Sequence, residues 1–250
     1  MKFRVATWNL DHASNQSRPA DRQLERIKAV AADIWVLTET CDRVDLSAQG
    51  YNCKTPFKRN EYGNYWTTVW LSSSFSFTQQ VHSYDDETIT CVEVDSAGGR
   101  FLLYATILPY AMYRVDKDGP KKWDEHYKEI LAQGAEWHEL QGVRGLPMIV
   151  AGDFNQARDG IGRYSSRKGR DLLTAQLANC GLQCVTEEDF GKLGKLSVGP
   201  KMESYRHNID HICVTSSSFQ VKATGAWDHF VGERMLSDHN GVYVDLTWRS

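Results

Sequence analysis

Apolar residues follow two rhythms along this chain. Short runs rich in β-branched and aromatic residues mark strands at Val5–Trp8, Ile34–Leu37, Thr67–Leu71, Thr88–Val94, Phe101–Ile107, Met148–Ala151, Ile209–Val214, Phe219–Ala223 and Gly241–Thr247. Three other segments repeat apolar residues at three- and four-residue steps, the period of a helix with one buried face. The first passes through Leu24, Ile27, Val30 and Ala31, with Ser17 as its N-cap, Pro19 near the first turn, and Arg22, Glu25 and Lys28 facing outward. The second, about Trp123 to Val143, follows a polar, lysine-rich stretch from Arg114 to Lys122 and stops at Gly145-Leu146-Pro147. The third runs through Leu172, Leu173, Leu177 and Ala178 and closes at Gly181. Ala97-Gly98-Gly99-Arg100 reads as a hairpin turn. Crossovers mixed with hairpins predict an α/β fold in which two mixed sheets pack face to face, flanked by helices.

No repeat, low-complexity tract or linker divides the 250 residues, so a single domain over 1–250 is expected. The hydrophobic share of 41% and charged share of 24% are those of an ordinary soluble globular protein. No apolar run approaches the ~20 residues of a membrane helix, so no membrane anchor is expected. Met1-Lys2-Phe3-Arg4 opens like a signal peptide, but Asn9 and Asp11 interrupt any apolar continuation. The six cysteines include no C-x-x-C pair and read as buried free thiols, which fits a cytoplasmic protein, here expected to be a monomer. A net charge of −3 argues against a strongly basic nucleic-acid binder while leaving room for a local basic patch.

Five polar islands sit at the ends of the strand-like runs: Thr7-Trp8-Asn9-Leu10-Asp11, Leu37-Thr38-Glu39-Thr40, Gly152-Asp153-Phe154-Asn155, Asn208-Ile209-Asp210-His211 and Ser237-Asp238-His239. Their hard oxygen donors suit Mg²⁺, Mn²⁺ or Ca²⁺ rather than zinc, and Mg²⁺ or Mn²⁺ is the expected cofactor. Two Asp/His pairings add a proton carrier beside a carboxylate, and the combination points to metal-assisted hydrolysis of a phosphate ester. Glu39, aimed by a buried strand with Thr38 and Thr40 at hand to hydrogen-bond around it, is the foremost metal ligand. Asp153 and Asn155 alternate along an extended segment and should face one phosphate together. Asp153 would orient or deprotonate the attacking water, and Asn155 would donate to the transition state. His211, next to Asp210 on a strand, should point to the opposite face and pack there; His12 reads as a loop histidine.

In their order, these islands resemble the endonuclease/exonuclease/phosphatase superfamily, and the likeness spans Trp8 to His239. The resemblance implies a four-layer α/β/β/α sandwich and divalent-metal phosphoesterase activity. It also implies that Asn9 orients the phosphate or a catalytic aspartate, that Asp210 and His239 form a dyad, and that Asp11 and Asp238 join Glu39 around the metal. One departure stands out: where many members carry Tyr or His two residues before a proline, this chain has Ile107 before Pro109. A phosphate contact there would have to come from Tyr110, Tyr113 or Arg114.

Arg158, Arg163, Arg167, Lys168 and Arg170 follow the third island, Gly152-Asp153-Phe154-Asn155, with glycines and Tyr164 among them, a composition suited to a nucleic-acid strand or a polyphosphate. A solvated loop whose charges pair with Asp159 and Asp171 is the plainer reading. Tyr62, Tyr65 and Trp66 offer either a base-stacking platform or ordinary rim aromatics. The expected activity is therefore a phosphodiesterase or nuclease. A phosphomonoesterase on a small phosphorylated metabolite or inositol-type headgroup is the alternative, and a catalytically silent binding domain comes behind both.

Overall fold

Strand β1 (Lys2–Asn9), helix α1 (Ala20–Val30) and strand β2 (Ile34–Thr40) form a parallel crossover, Val5 pairing with Ile34 and Asn9 with Thr38. The computed structural model describes residues 1–12, 19–113, 122–160, 164–200 and 202–249; the expected Ser17 cap, Arg114 and Arg163 lie outside them. After the crossover come β3 (Asn52–Lys54), β4 (Tyr65–Leu71), β5 (Phe75–Val81), β6 (Thr90–Ser96) and β7 (Gly99–Ile107). A second crossover joins β7 to β8 (Met148–Asp153) through α2 (Asp124–Arg144). The chain continues through α3 (Arg167–Asn179), β9 (Leu182–Cys184), β10 (Asp210–Thr215), β11 (Phe219–Trp227), β12 (Phe230–Val231), β13 (Arg234–Met235) and β14 (Gly241–Trp248).

One six-stranded sheet has the order β11-β14-β1-β2-β4-β3 and the other β5-β6-β7-β8-β10-β9. Each holds one parallel pair at its centre and antiparallel neighbours outside it, so both sheets are mixed. Phe3, Val5, Ile34, Val36, Val69, Leu103, Ile149, Ile212 and Val244 interleave between the sheets as the central core. Ile130, Trp137, Leu173 and Leu177 cover the outer face of the second sheet from α2 and α3, while Ile27 of α1 packs with Trp8 and Trp35 outside the first. The result is the four-layer α/β/β/α sandwich.

Alternation of side chains across each strand explains why the runs were legible: inward residues build the shared core and outward ones meet the helices. The short strands β3, β9, β12 and β13 and the polar β5 carry too little pattern to be read. Helix α1 departs from its expected face. Gln23 is fully buried, and its Nε2 donates to Leu10 O (3.0 Å) and Leu236 O (2.7 Å), tying two site-bearing loops together. Helix α3 begins at Arg167, because Ser166 Oγ accepts from Gly169 N at 2.9 Å and caps it; Arg167, Lys168 and Arg170 are therefore helical rather than loop residues.

Gly152 shows why its island begins with glycine. Its φ is +145°, and a Cβ there would lie 1.9 Å from the carbonyl oxygen of Thr106, its partner on β7. Backbone cannot move aside as a flexible side chain can. Gly152→Ala should cost about 3 kcal/mol or more, lowering Tm by roughly 6–12 °C. A thermal melt within a degree or two of the parent would refute this packing.

Candidate active site

The strand directions bring residues of all five islands to one rim. Asn9 ends β1, Glu39 lies at the end of β2, Asp153 ends β8, and Asp210 opens the antiparallel β10 directly opposite Asp153. His239 precedes β14, which returns antiparallel to β1. The site therefore straddles the seam between the two sheets.

Asn9 links them. Its Nδ2 donates to Glu39 Oε1 and to Asp153 Oδ2, each at 3.0 Å, and its backbone N donates to Asp210 Oδ1 at 3.1 Å. The Asp11 amide in turn donates to Asn9 Oδ1 at 2.8 Å, which fixes the side chain's orientation. Asp210 Oδ2 lies 2.7 Å from His239 Nδ1, so the expected pair is in contact, with Asp210 fully buried and His239 nearly so. Ser237, not singled out from the sequence, donates from Oγ to Asn9 O (2.6 Å) and accepts from His239 N (3.0 Å). Trp8 Nε1 donates to His239 O at 2.8 Å. An ordinary Ser and a core Trp carry no sequence signal for such a role.

Glu39 has a left-handed backbone, φ 49°; the ladder to β4 pairs Thr38 with Thr67 and Thr40 with Tyr65 on either side of it. Its carboxylate is held by Asn9 and by His12, whose Nε2 lies 2.9 Å from Oε2, and the Thr38 and Thr40 hydroxyls make no bond to it. His12 is thus more than a loop histidine, since its ring reaches back over the site. Burial works to raise the Glu39 carboxyl, but the His12 and Asn9 contacts prevail and hold it below its ordinary value.

Asn155 is not extended as expected. Its φ is 47°, a left-handed turn that asparagine tolerates better than most residues. The two side chains still meet, with Nδ2 donating to Asp153 Oδ2 (2.8 Å) and to Leu108 O (2.9 Å), and the Asn155 backbone N donating to Asp153 Oδ1 (2.7 Å). Both amide protons are therefore committed, so in this arrangement Asn155 fixes Asp153 rather than offering a donor outward. His211 is buried, with Nε2 at 2.9 Å from Gln156 O and its ring on Phe154, a packing role as expected.

Burial dominates the electrostatics. It pushes the Asp153 carboxyl up to about 8, opposed by His239 and reinforced by the charges of Asp210 and Glu39. Burial disfavours charged His239, but Asp210 and Asp153 outweigh it and raise the imidazole to about 10. Asp153, Asp210 and His239 each present a ligand atom within 4.8 Å of the others. Carboxylates crowded this closely, with donors that are mainly hard oxygens, are a chemical fit for a divalent cation.

The remaining candidates are more dispersed. Asp238 is about half exposed; Oδ1 lies 3.7 Å from His239 Nε2. A cavity of about 320 Å³ opens beside it, lined by Tyr164, Arg206, His207, Ile209, Asp238 and His239. Tyr164 OH donates to Asn155 Oδ1 at 3.3 Å, and His207 Nδ1 contacts Asp159. Arg206 and His207 immediately precede the Asn208–His211 island, and that proximity was the available signal for them. Tyr110 is exposed, its ring 5.8 Å from Tyr113. Arg167 is exposed at the start of α3, and Lys168 Nζ sits 4.4 Å over the Tyr127 ring. Arg158 does not face the site, because its buried guanidinium binds Glu187 Oε2 at 3.1 Å and Thr174 Oγ1 at 3.2 Å. Tyr62 is exposed, Tyr65 stacks under Arg59, and Trp66 sits 5.5 Å from the His12 ring, so the three form no single platform.

The profile of the Endonuclease/Exonuclease/phosphatase family matches residues 6–239. No curated protein matches the sequence significantly. Among solved structures, the human Nocturnin catalytic domain with bound sulfate superposes with a TM-score of 0.66 at 20% identity, over 99% of this chain and 94% of that one. An endonuclease/exonuclease/phosphatase protein from Bacteroides vulgatus gives 0.69 at 17% identity, with all of both chains covered. D. rerio TDP2 complexed with single strand DNA product gives 0.67 at 17% identity, over 98% of this chain and 99% of that one. These likenesses establish the fold. Among the described residues, no helix is long and apolar enough to cross a membrane.

Proposed function

The chain belongs to the endonuclease/exonuclease/phosphatase family, and from that premise we propose that it is a Mg²⁺- or Mn²⁺-dependent phosphodiesterase acting on nucleic-acid or nucleotide diesters. The observation that carries the catalytic part is the single bonded network of Glu39, Asn9, Asp153, Asp210 and His239. Glu39 would hold the cation beside the Asp153–Asp210–His239 cluster; Asp11 and Asp238, which act electrostatically on its neighbour His12, do not join that cluster and would add charge from its edge. When bound, that ion supplies Lewis-acid polarisation of the phosphoryl group and neutralises developing charge.

The chain's own residues divide the rest of the work. Asp153, raised to about 8 by burial, is a strong base in its ionised form, which its three N–H donors favour, and in that form it accepts the proton of the attacking water. Asn155 and Asn9 fix the carboxylate for that transfer. His239, charged near neutral pH and anchored at Nδ1 by Asp210, directs Nε2–H toward the phosphoryl oxygens as negative charge develops there.

Diester preference rests on the cavity beside His239. It gives the group beyond the phosphorus a place to lie, with Tyr164 to stack on and, at its wall, Arg206, whose guanidinium donates to Asp238 O and keeps its other N–H groups for a neighbouring phosphate. The D. rerio relative that holds a single-stranded DNA product supports a nucleic-acid substrate. Activity on bis-p-nitrophenyl phosphate and oligonucleotides, with little on p-nitrophenyl phosphate, is the expected profile. The reverse profile would select the phosphomonoesterase alternative.

The basic residues give a second measurement. Replacing Arg167, Lys168 and Arg206 with Ala should weaken oligonucleotide binding and flatten its salt dependence by about one counterion for each lost phosphate contact. Arg158→Ala should leave that slope unchanged, because its guanidinium is bound to Glu187. An unaltered slope in the triple variant would remove these side chains from substrate binding.

A further inference from the structure

Five of the six cysteines are buried, and two of them face each other across a pair of strands. Cys184, on the edge strand β9, pairs in register with Cys213 on β10, three residues beyond Asp210. The adjoining hydrogen bonds define the kind of pair. Val185 N donates to Ile212 O (2.9 Å) and Ser216 N to Gly181 O (3.1 Å), so the alternation places Cys184 and Cys213 at a non-hydrogen-bonded position. At such positions the Cα atoms approach to about 4.5 Å and the side chains leave the same face together, within the span a disulfide bridges.

The surroundings differ from those of an inert core thiol. Arg158, drawn away from the active site by Glu187 and Thr174, acts electrostatically on both sulfurs. Burial opposes a Cys184 thiolate, but the Cys213 thiol, the His211 imidazole and Arg158 overcome it, and Cys184 lies well below the usual thiol range. Burial and the neighbouring Cys184 push Cys213 well above that range. Cys184 retains 5% exposure on a three-residue strand at the sheet edge whereas Cys213 has none, so Cys184 is the sulfur that a small oxidant would meet first.

We infer that Cys184 and Cys213 form an oxidation site for hydroperoxides, closing a cross-strand disulfide between β9 and β10. The Cys184 thiolate attacks a peroxide oxygen; the S–O bond forms, the O–O bond breaks, and hydroxide leaves and is protonated to water. The Cys213 sulfur then attacks Cys184 sulfur, the S–O bond breaks, and the thiol proton departs with the hydroxide as a second water. Two thiols and one hydrogen peroxide give one disulfide and two waters. The bond would enclose residues 185–212, the segment that carries Arg206, His207 and Asp210. This inference stands whether or not the substrate reading above is right.

The test uses the full chain and stoichiometric hydrogen peroxide. Intact mass should fall by about 2 Da, and fragmentation of non-reduced peptides should join Cys184 to Cys213. Tm should rise by about 5–10 °C and return with dithiothreitol, since a loop of this length is closed. In Cys213→Ser, a sulfenic acid should accumulate at Cys184 and be trapped by dimedone. Wild-type protein whose thiols all remain alkylatable after peroxide would overturn the inference. So would a link mapped to Cys180, or the same mass loss in Cys184→Ser.

Discussion

Glu39→Gln is expected to remove nearly all turnover, roughly 10³-fold or more, while the protein remains folded. The amide keeps the shape of the side chain and an oxygen for Asn9 Nδ2, but it removes the negative charge that would hold a divalent cation. Calorimetric titration with Mn²⁺ should show binding weakened in the same variant, and circular dichroism should be unchanged. Excess EDTA should silence the parent enzyme to a similar degree. Full activity in EDTA, or in Glu39→Gln, would defeat the metal assignment. An unfolded variant would be recognised by its spectrum, and Glu39→Asp would then separate charge from fold.

The second large effect belongs to the dyad. His239→Ala should lower turnover by about 10²–10⁴-fold, the range for a lost acid–base or electrostatic group. Asp210→Asn should act in the same direction, because it removes the charge that sustains the imidazolium at 2.7 Å. The double variant should lose little more than the worse single one, since two groups serving one function fail together. Effects that multiplied would mean that the two residues act independently, against the bonded geometry.

The sheets and the network were legible for one reason: strand ends are where a period-two pattern stops and polar residues begin. Asn9, Glu39, Asp153, Asp210 and His239 all stand at such breaks, and the structure gathers them at one rim. What failed to show was set by contacts distant in sequence. Arg158 looked like part of a basic loop until Glu187, 29 residues on, drew it away. Gln23 sat on a helix whose periodicity counted it as polar, yet two backbone carbonyls from separate loops bury it. Asn155 was placed by alternation, and a single left-handed residue broke the alternation. Local pattern reports which side of an element faces inward; it does not report which partner waits there.

The left-handed backbone at Glu39 and Asn155 has an evolutionary consequence. At both positions glycine would adopt the observed conformation with less strain, of order 1 kcal/mol or more, yet only the longer side chains complete the carboxylate network. Selection for thermal endurance and selection for catalysis therefore favour different residues at the same two places. A library screened only for heat resistance would be drawn toward glycine there and would accumulate sturdy, inactive descendants.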